Sequence, residues 1–340
     1  FISFLIPFNL MEKKRLRKQR IIAGLTGVVT FLMIITPQVV ADGVIGFSHD
    51  SLGAGGMFIA IIAGVFSGYI MGLFGKFSFF KEDSVIPDFV RSWFDSLLPI
   101  GLVLMVVWIL VDILGIDVYN IIQSIFMPIA TIMQTPGGFV LSSFLACFLY
   151  SMGISSWVLT PVVKPATMIG ITANIAMVAA GTASYETLNL VTDPTIYSAY
   201  MWIGGIGCTM PLVIMLAISK SNKLKALGRA CLVPAIFNIN EPVVFGCVAW
   251  NPIMMIPMWL TSIVLPLVIW VFTKIIPFAP IPTIVFDMWY CPFPISTWLT
   301  TGSIKGILLM LICAAIGTAI WYPFFKTYEK QEVENEKAAA

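Results

Sequence analysis

Apolar runs long enough to cross a bilayer, about 20 residues, recur along the chain and are parted by short polar breaks. Residues 21–40 make the first full run and follow a basic cluster. Residues 41–56 are polar and Gly-rich and predict an outer loop. Residues 57–75 are the next span, on which Gly64, Gly68 and Gly72 recur every four residues. Such spacing leaves a flat strip for close helix packing, either inside one subunit or across a dimer. Residues 96–116 form a third span with Asp112 near its far end. Residues 118–163 carry no charge but exceed one span and contain Pro128, Pro136 and the Gly137–Gly138 pair. They predict an amphipathic helix over 118–134, then a span from Phe139 that runs into a broken element at 151–165.

Further on, residues 165–183 are apolar around Asn174, and 185–194 form a polar loop. Residues 195–219 predict a span that opens with the interfacial aromatics Tyr197, Tyr200 and Trp202. Residues 230–251 are apolar but interrupted by Pro234, Asn238, Asn240, Glu241, Pro242 and Asn251. A lipid-facing helix does not tolerate that run, because non-helical backbone at membrane depth survives only inside protein or along a wet cavity. Residues 252–272 are a plain span, 275–301 an irregular stretch and 306–325 the last span. The expected fold class is all-α, a polytopic α-helical membrane protein embedded in a lipid bilayer. Residues 1–10 read as the end of a span that begins upstream, so an N-terminally truncated form is expected.

Composition and charge sharpen this picture. Of 340 residues, 59% are hydrophobic and 11% charged, against roughly 25% charged in soluble domains, and mean hydropathy is +0.96. Those values exclude a soluble enzyme, a nucleic-acid-binding domain and a disordered chain. Basic clusters at 13–20, at Lys220, Lys223, Lys225 and Arg229, and at Lys326, Lys330 and Lys337 mark cytoplasmic sides. The acidic residues after Tyr328 then read as a solvated cytoplasmic end. Six scattered cysteines have no paired spacing and read as small buried hydrophobes. No GxxxxGK[ST] occurs, so the chain has no ATP-binding loop of that kind. The one histidine, His49, lies in the outer loop, and neither a metal nor a cofactor is expected.

The ionisable residues left at membrane depth are Asp112, Lys164, Glu241 and Asp287, and such groups are functional candidates by default. Glu241 has the most specific setting, Phe237-Asn238-Ile239-Asn240-Glu241-Pro242. Pro242 is expected to break the helix and leave Glu241 extended. Asn238, Asn240 and Glu241 then offer donors and bidentate acceptors for sugar hydroxyls, and the carboxylate can take a hydroxyl proton. The competing reading makes Glu241 a helix cap or a buried hinge. Lys164, after a second broken segment Gly153-Ile154-Ser155-Ser156, either faces the same cavity and pairs with Glu241 or a phosphate, or snorkels to the surface. Trp289 and Trp298 read as interface anchors.

Several stretches resemble the membrane subunit, enzyme IIC, of the lactose/cellobiose family of the bacterial sugar phosphotransferase system. They are Leu224-Lys225-Ala226-Leu227-Gly228-Arg229, then Val233-Pro234-Ala235-Ile236-Phe237-Asn238-Ile239-Asn240-Glu241-Pro242, Gly204-Gly205-Ile206-Gly207-Cys208-Thr209-Met210-Pro211-Leu212, and Tyr322-Pro323-Phe324-Phe325-Lys326. The resemblance implies a homodimeric permease in the bacterial cytoplasmic membrane with two re-entrant hairpins. It divides the chain into scaffold and dimerisation spans (1–116), an amphipathic linker (117–138), a substrate-binding transport domain (139–327) and an acidic tail (328–340). It makes Glu241 the group that binds sugar hydroxyls near the one to be phosphorylated. It takes the phosphoryl group from a cysteine of a separate IIB protein charged by IIA, and together with the reading of the residues above it makes Asn238, Asn240, Ser155, Ser156 and Lys164 the expected neighbours of a disaccharide. The family's GIHG-like motif is here Gly153-Ile154-Ser155-Ser156. Ser155 is short, uncharged and a poor base, which shifts acid–base work onto Glu241 and points to a different sugar. The alternatives are a proton-coupled secondary transporter and a non-transporting sugar sensor of the same fold.

Overall fold

The computed structural model describes residues 1–41, 43–47, 49–53, 56–80 and 87–339. The chain is helical and divides into two compact units, Phe1–Pro128 and Ile129–Ala340. Among the described residues, four helices are long and apolar enough to cross a membrane: Val90–Ile113, Thr160–Ala179, Pro252–Ile275 and Ile304–Ala338.

The first unit contains α1 (Ile2–Lys13), α2 (Arg20–Ile34), a hairpin of β1 (Gln38–Ala41) and β2 (Val44–Gly46), and α3 (His49–Leu52). It continues with α4 (Met57–Leu73) and α5 (Asp88–Trp108), extended by a π-helical turn over Ile109–Ile113. α2 stops short of the span expected to reach residue 40. Thr36 takes φ +47° ahead of Pro37, which has no N–H to continue the ladder, and the chain turns into β1. Asp112 lies exposed in the π-turn. The side chain of His49 lies outside the described residues.

The glycine strip on α4 is spent within the chain. A Cβ at Gly64 would meet Ile6 at 3.1 Å and one at Gly68 would meet Pro7 at 3.0 Å, both on α1. Gly27 of α2 is tighter, with the Ser3 carbonyl 2.1 Å from where its Cβ would stand. Buried Ser67 donates a hydrogen bond to Thr30 at 3.0 Å. Three helices therefore pack backbone to backbone, and of the two uses open to the strip the structure takes the intrasubunit one.

α6 (Val118–Met133) runs across the division. The second unit then contains α7 (Pro136–Ser151), α8 (Thr160–Ala179), α9 (Met210–Ala217) and α10 (Asn222–Ile236). It ends with α11 (Glu241–Val243), a π-turn over Val244–Val248, α12 (Pro252–Trp270), α13 (Ile295–Thr301) and α14 (Ile304–Ala339). Its core is built on Phe139, Tyr200, Leu212, Trp321 and Phe325, all essentially solvent-free. Five of the cysteines are buried in it.

Residues 195–219 are not the continuous span the pattern predicted. A π-helical turn at Pro194–Ala199 gives way to ten residues without helix before α9. Gly204, Gly205 and Gly207 take φ of +77°, +104° and +88°, values that non-glycine residues rarely adopt. Hydropathy alone cannot register this, because the loop is buried in protein and keeps an apolar composition. The acidic stretch after Tyr328 is exposed at Glu334 but is not wholly solvated. It continues α14, whose Glu329 is buried and accepts from Ser219 Oγ and the Lys220 amide, both at 2.8 Å.

Candidate functional site

Two helices in the second unit end in the same way. At the end of α7, Gly153 takes φ +77°, its N–H donates to Tyr150 O and that of Ile154 to Leu149 O. At the end of α10, Asn238 takes φ +60°, its N–H donates to Ala235 O and that of Ile239 to Pro234 O. Both are Schellman closures, in which a left-handed residue lets the last carbonyls find donors. Gly and Asn are the residues that enter that region at least cost. Each closure turns the chain sharply and leaves irregular backbone beside a cavity.

Pro242 does not break a helix. It sits in the first turn of α11, where its missing N–H costs nothing, and the break falls earlier, at Asn238. Glu241 is therefore helical, not extended.

A cavity of about 400 Å³ opens at this place, within the range of small-molecule sites. α7 contributes Ser142, Ser143, Ala146 and Tyr150. The turn into α8 contributes Trp157, and α8 itself Lys164. Asp193, Tyr197, Trp202 and Gly205 come from the irregular stretch before α9, and Asn238, Asn240 and Glu241 from the link between α10 and α11. Phe286, Asp287 and Trp289 close it from the segment between α12 and α13. Trp157 and Trp289 meet edge to face at 6.2 Å.

The carboxylate of Glu241 is exposed to this space and makes no hydrogen bond or ion pair among the described residues. The two asparagines are placed differently. Asn238 donates to Trp289 O at 2.8 Å and Cys291 O at 3.0 Å, and accepts from the Gly204 N–H at 3.0 Å. Asn240 donates to Ile206 O at 2.7 Å and Thr209 Oγ1 at 3.1 Å, and accepts from Tyr150 OH at 3.3 Å. Both hydrogens of each amide are thus committed to the protein, and both residues are buried. The glycine motif at 204–207 is their bed: a Cβ at Gly205 would lie 2.4 Å from Asn240 Cγ.

Lys164 faces the cavity but pairs with two carboxylates other than Glu241. Its ammonium donates to Asp193 and, at 2.6 Å, to Asp287. Asp193 is buried and also accepts from the Thr167 hydroxyl. Ser155 is exposed and is not among the lining residues, and its Oγ accepts from the Trp157 amide at 3.4 Å. The side chain of Ser156 lies outside the described residues. Of the tryptophans read as interface anchors, Trp289 lines the cavity, while Trp298 is exposed and does not. Sequence reading passed over Asp193, Tyr150 and Trp157, and it took Tyr197, Tyr200 and Trp202 for interfacial aromatics, whereas Tyr200 and Trp202 are buried and Tyr197 and Trp202 line the cavity. No motif marks them, because their roles arise from tertiary proximity.

The chain is 28% identical to the PTS system oligo-beta-mannoside-specific EIIC component of Bacillus subtilis (strain 168), over 100% of this chain and 78% of that protein. It is 28% identical to the PTS system cellobiose-specific EIIC component of Geobacillus stearothermophilus, over 99% of this chain and 78% of that protein. It is 26% identical to the PTS system lactose-specific EIICB component of Staphylococcus epidermidis, over 93% of this chain and 54% of that longer protein. Its structure superposes on the crystal structure of the transporter ChbC, the IIC component from the N,N'-diacetylchitobiose-specific phosphotransferase system. The TM-score is 0.82 at 27% identity, covering 98% of this chain and 80% of that one. The family model "Phosphotransferase system, EIIC" matches residues 1–262, and with the fold in agreement, the chain belongs to the phosphotransferase-system EIIC family of membrane sugar permeases, in its cellobiose/lactose-type branch.

Proposed function

We propose that the chain translocates a disaccharide of the cellobiose, β-glucoside or lactose type and presents it to phospho-IIB, which IIA recharges. It does so as a homodimer in the bacterial cytoplasmic membrane. The first 116 residues are the scaffold and dimerising part, and the cavity lies in the transport part.

The observation that carries this reading is the carboxylate of Glu241, which lines the cavity without a hydrogen-bond or ion-pair partner among the described residues, while Asn238, Asn240, Lys164 and Asp193 beside it are paired within the protein. A carboxylate accepts from two vicinal hydroxyls at once, and Trp157 and Trp289 offer apolar faces for sugar rings. In the transfer, the attacking sugar oxygen forms its bond to phosphorus as the cysteine S–P bond of IIB breaks, and Glu241 takes the hydroxyl proton. Asn238 and Asn240 serve as positioning residues that hold the Glu241 turn against the glycine bed. Lys164 borders the sugar with its charge already neutralised. Ser155 lies at the turn after α7, outside the cavity lining, and this reading gives it no direct contact with the sugar.

The test is uptake of labelled disaccharides by cells expressing the protein with IIA and IIB, reading the chemical form inside. Sugar phosphate that appears only with IIB is expected. The Glu241→Gln variant should lose about 100-fold or more of that product at unchanged membrane abundance. Free sugar that accumulates without IIB and vanishes with the proton gradient would instead establish a secondary transporter. Binding without uptake would establish a sensor.

A further inference from the structure

Among the lining residues, three carboxyl groups (Asp193, Glu241 and Asp287) face one ammonium, that of Lys164. That ammonium is already shared between two of the carboxylates. Asp193 is the fixed partner, buried and held through its second oxygen by Thr167. Asp287 is the exposed partner, on a segment without regular structure. Among the described residues, its bond to Lys164 is the one hydrogen bond or ion pair tying residues 283–288 to another element.

An unshielded lysine in a sugar cavity would attract acidic saccharides. Here no cation is left over, and Glu241 adds an unpaired negative group. A saccharide bearing its own carboxylate or phosphate would enter a partly enclosed, largely apolar-walled space as a further like charge, which is the situation that most strongly penalises binding. We infer, resting on the sugar-permease reading above, that the cavity discriminates against anionic saccharides, and that Asp287 sharpens this discrimination by adding a second carboxylate beside a lysine whose charge Asp193 already offsets.

The experiment is calorimetric binding to the purified full chain in nanodiscs. Three sugars are compared: cellobiose, its 6'-phosphate, and the matching disaccharide with a uronic acid in the non-reducing ring. Wild-type protein should bind both anions at least about tenfold more weakly than cellobiose, and the gap should narrow at high salt. Asp287→Asn, which releases one bond of Lys164, should close the gap by about tenfold, and Asp287→Glu should restore it. Anions binding as tightly as cellobiose, or a ratio unmoved in Asp287→Asn, would overturn the inference while leaving the permease reading intact. If the asparagine variant does not fold, the wild-type ratio and its salt dependence decide alone. If no neutral disaccharide binds, the permease reading falls and the inference with it.

Discussion

Asn238 does two jobs with one side chain, and the two are separable. Its backbone sits in the left-handed region, and its amide links three backbone groups from two distant segments. Asn238→Gly keeps the first job and loses the second; Asn238→Ala loses both. Leaving buried backbone groups unpaired costs about 1–3 kcal/mol, and forcing a β-carbon into that region adds roughly 1–2 kcal/mol. Thermal unfolding in detergent, followed by tryptophan fluorescence, should rank wild type above Asn238→Gly and Asn238→Gly above Asn238→Ala. Asn238→Gly as stable as wild type would mean that the amide is dispensable, and Asn238→Ala as stable as Asn238→Gly that the turn is. Gly205→Ala is harsher, since the added carbon collides with Asn240 Cγ at a φ of +104°. It should deplete folded protein outright, measured as monodisperse yield. Lys164→Met belongs to the same scale. It strands buried Asp193 without its counter-charge and should cost roughly 2 kcal/mol, between the values for exposed and buried pairs.

α14 is the element with the clearest division of labour. Its 36 residues rise about 54 Å, well beyond the ~30 Å hydrocarbon core, so the stretch from Lys326 onward extends past the bilayer. There Glu329 caps the Ser219–Lys220 turn, and Glu336 accepts from Ser221 Oγ at 2.6 Å and from the Lys223 amide at 2.9 Å, at the start of α10. Burial alone would raise Glu329, but bonds from Lys326, the Lys220 amide and Ser219 outweigh it and hold the carboxyl below its ordinary value of 4.5. The Ser221 hydroxyl, with the Lys223 and Asn222 amides, lowers Glu336 in the same sense. A carboxyl lowered by folding contributes stability above its unfolded value and loses it as pH falls through the folded one. Hydrogen exchange, corrected for intrinsic rate, should therefore show the end of α14 protected at neutral pH and released only below about pH 4.5. Glu329→Gln should flatten that step; a tail equally protected at acid pH would show that these carboxylates do not hold it.

For the molecule as a whole, the cavity wall draws on α7, α8, the irregular stretch before α9, the α10–α11 link and the segment before α13. A sugar seated there contacts elements far apart in the chain. It should stabilise the folded state as a unit, by about 2.7 kcal/mol at a hundredfold excess over Kd. Three lining tryptophans report it directly, and the unfolding midpoint and the fluorescence should shift together with saturating disaccharide. A fluorescence change with no shift in midpoint would place the ligand outside the cavity.

Much of this was legible in the linear pattern. Long apolar runs with few charges determine membrane-spanning helices, because a bilayer offers no other way to satisfy backbone groups. Asn, Glu and Pro at 238–242 announced a break for the same reason, and Glu241 stood out as a carboxylate that lipid would not accept. What only the tertiary structure decided was which polar atoms remain free. Asn238 and Asn240 look like sugar ligands in sequence and are consumed by backbone groups 34 to 53 residues away and by the Thr209 hydroxyl, 31 away. Lys164 looks like a partner for Glu241 and is taken by Asp193 and Asp287, 29 and 123 residues away. Hydropathy reports the cost of putting a residue in the membrane; it carries nothing about the long-range partner that offsets that cost, and here that partner decides which groups are left to meet a substrate.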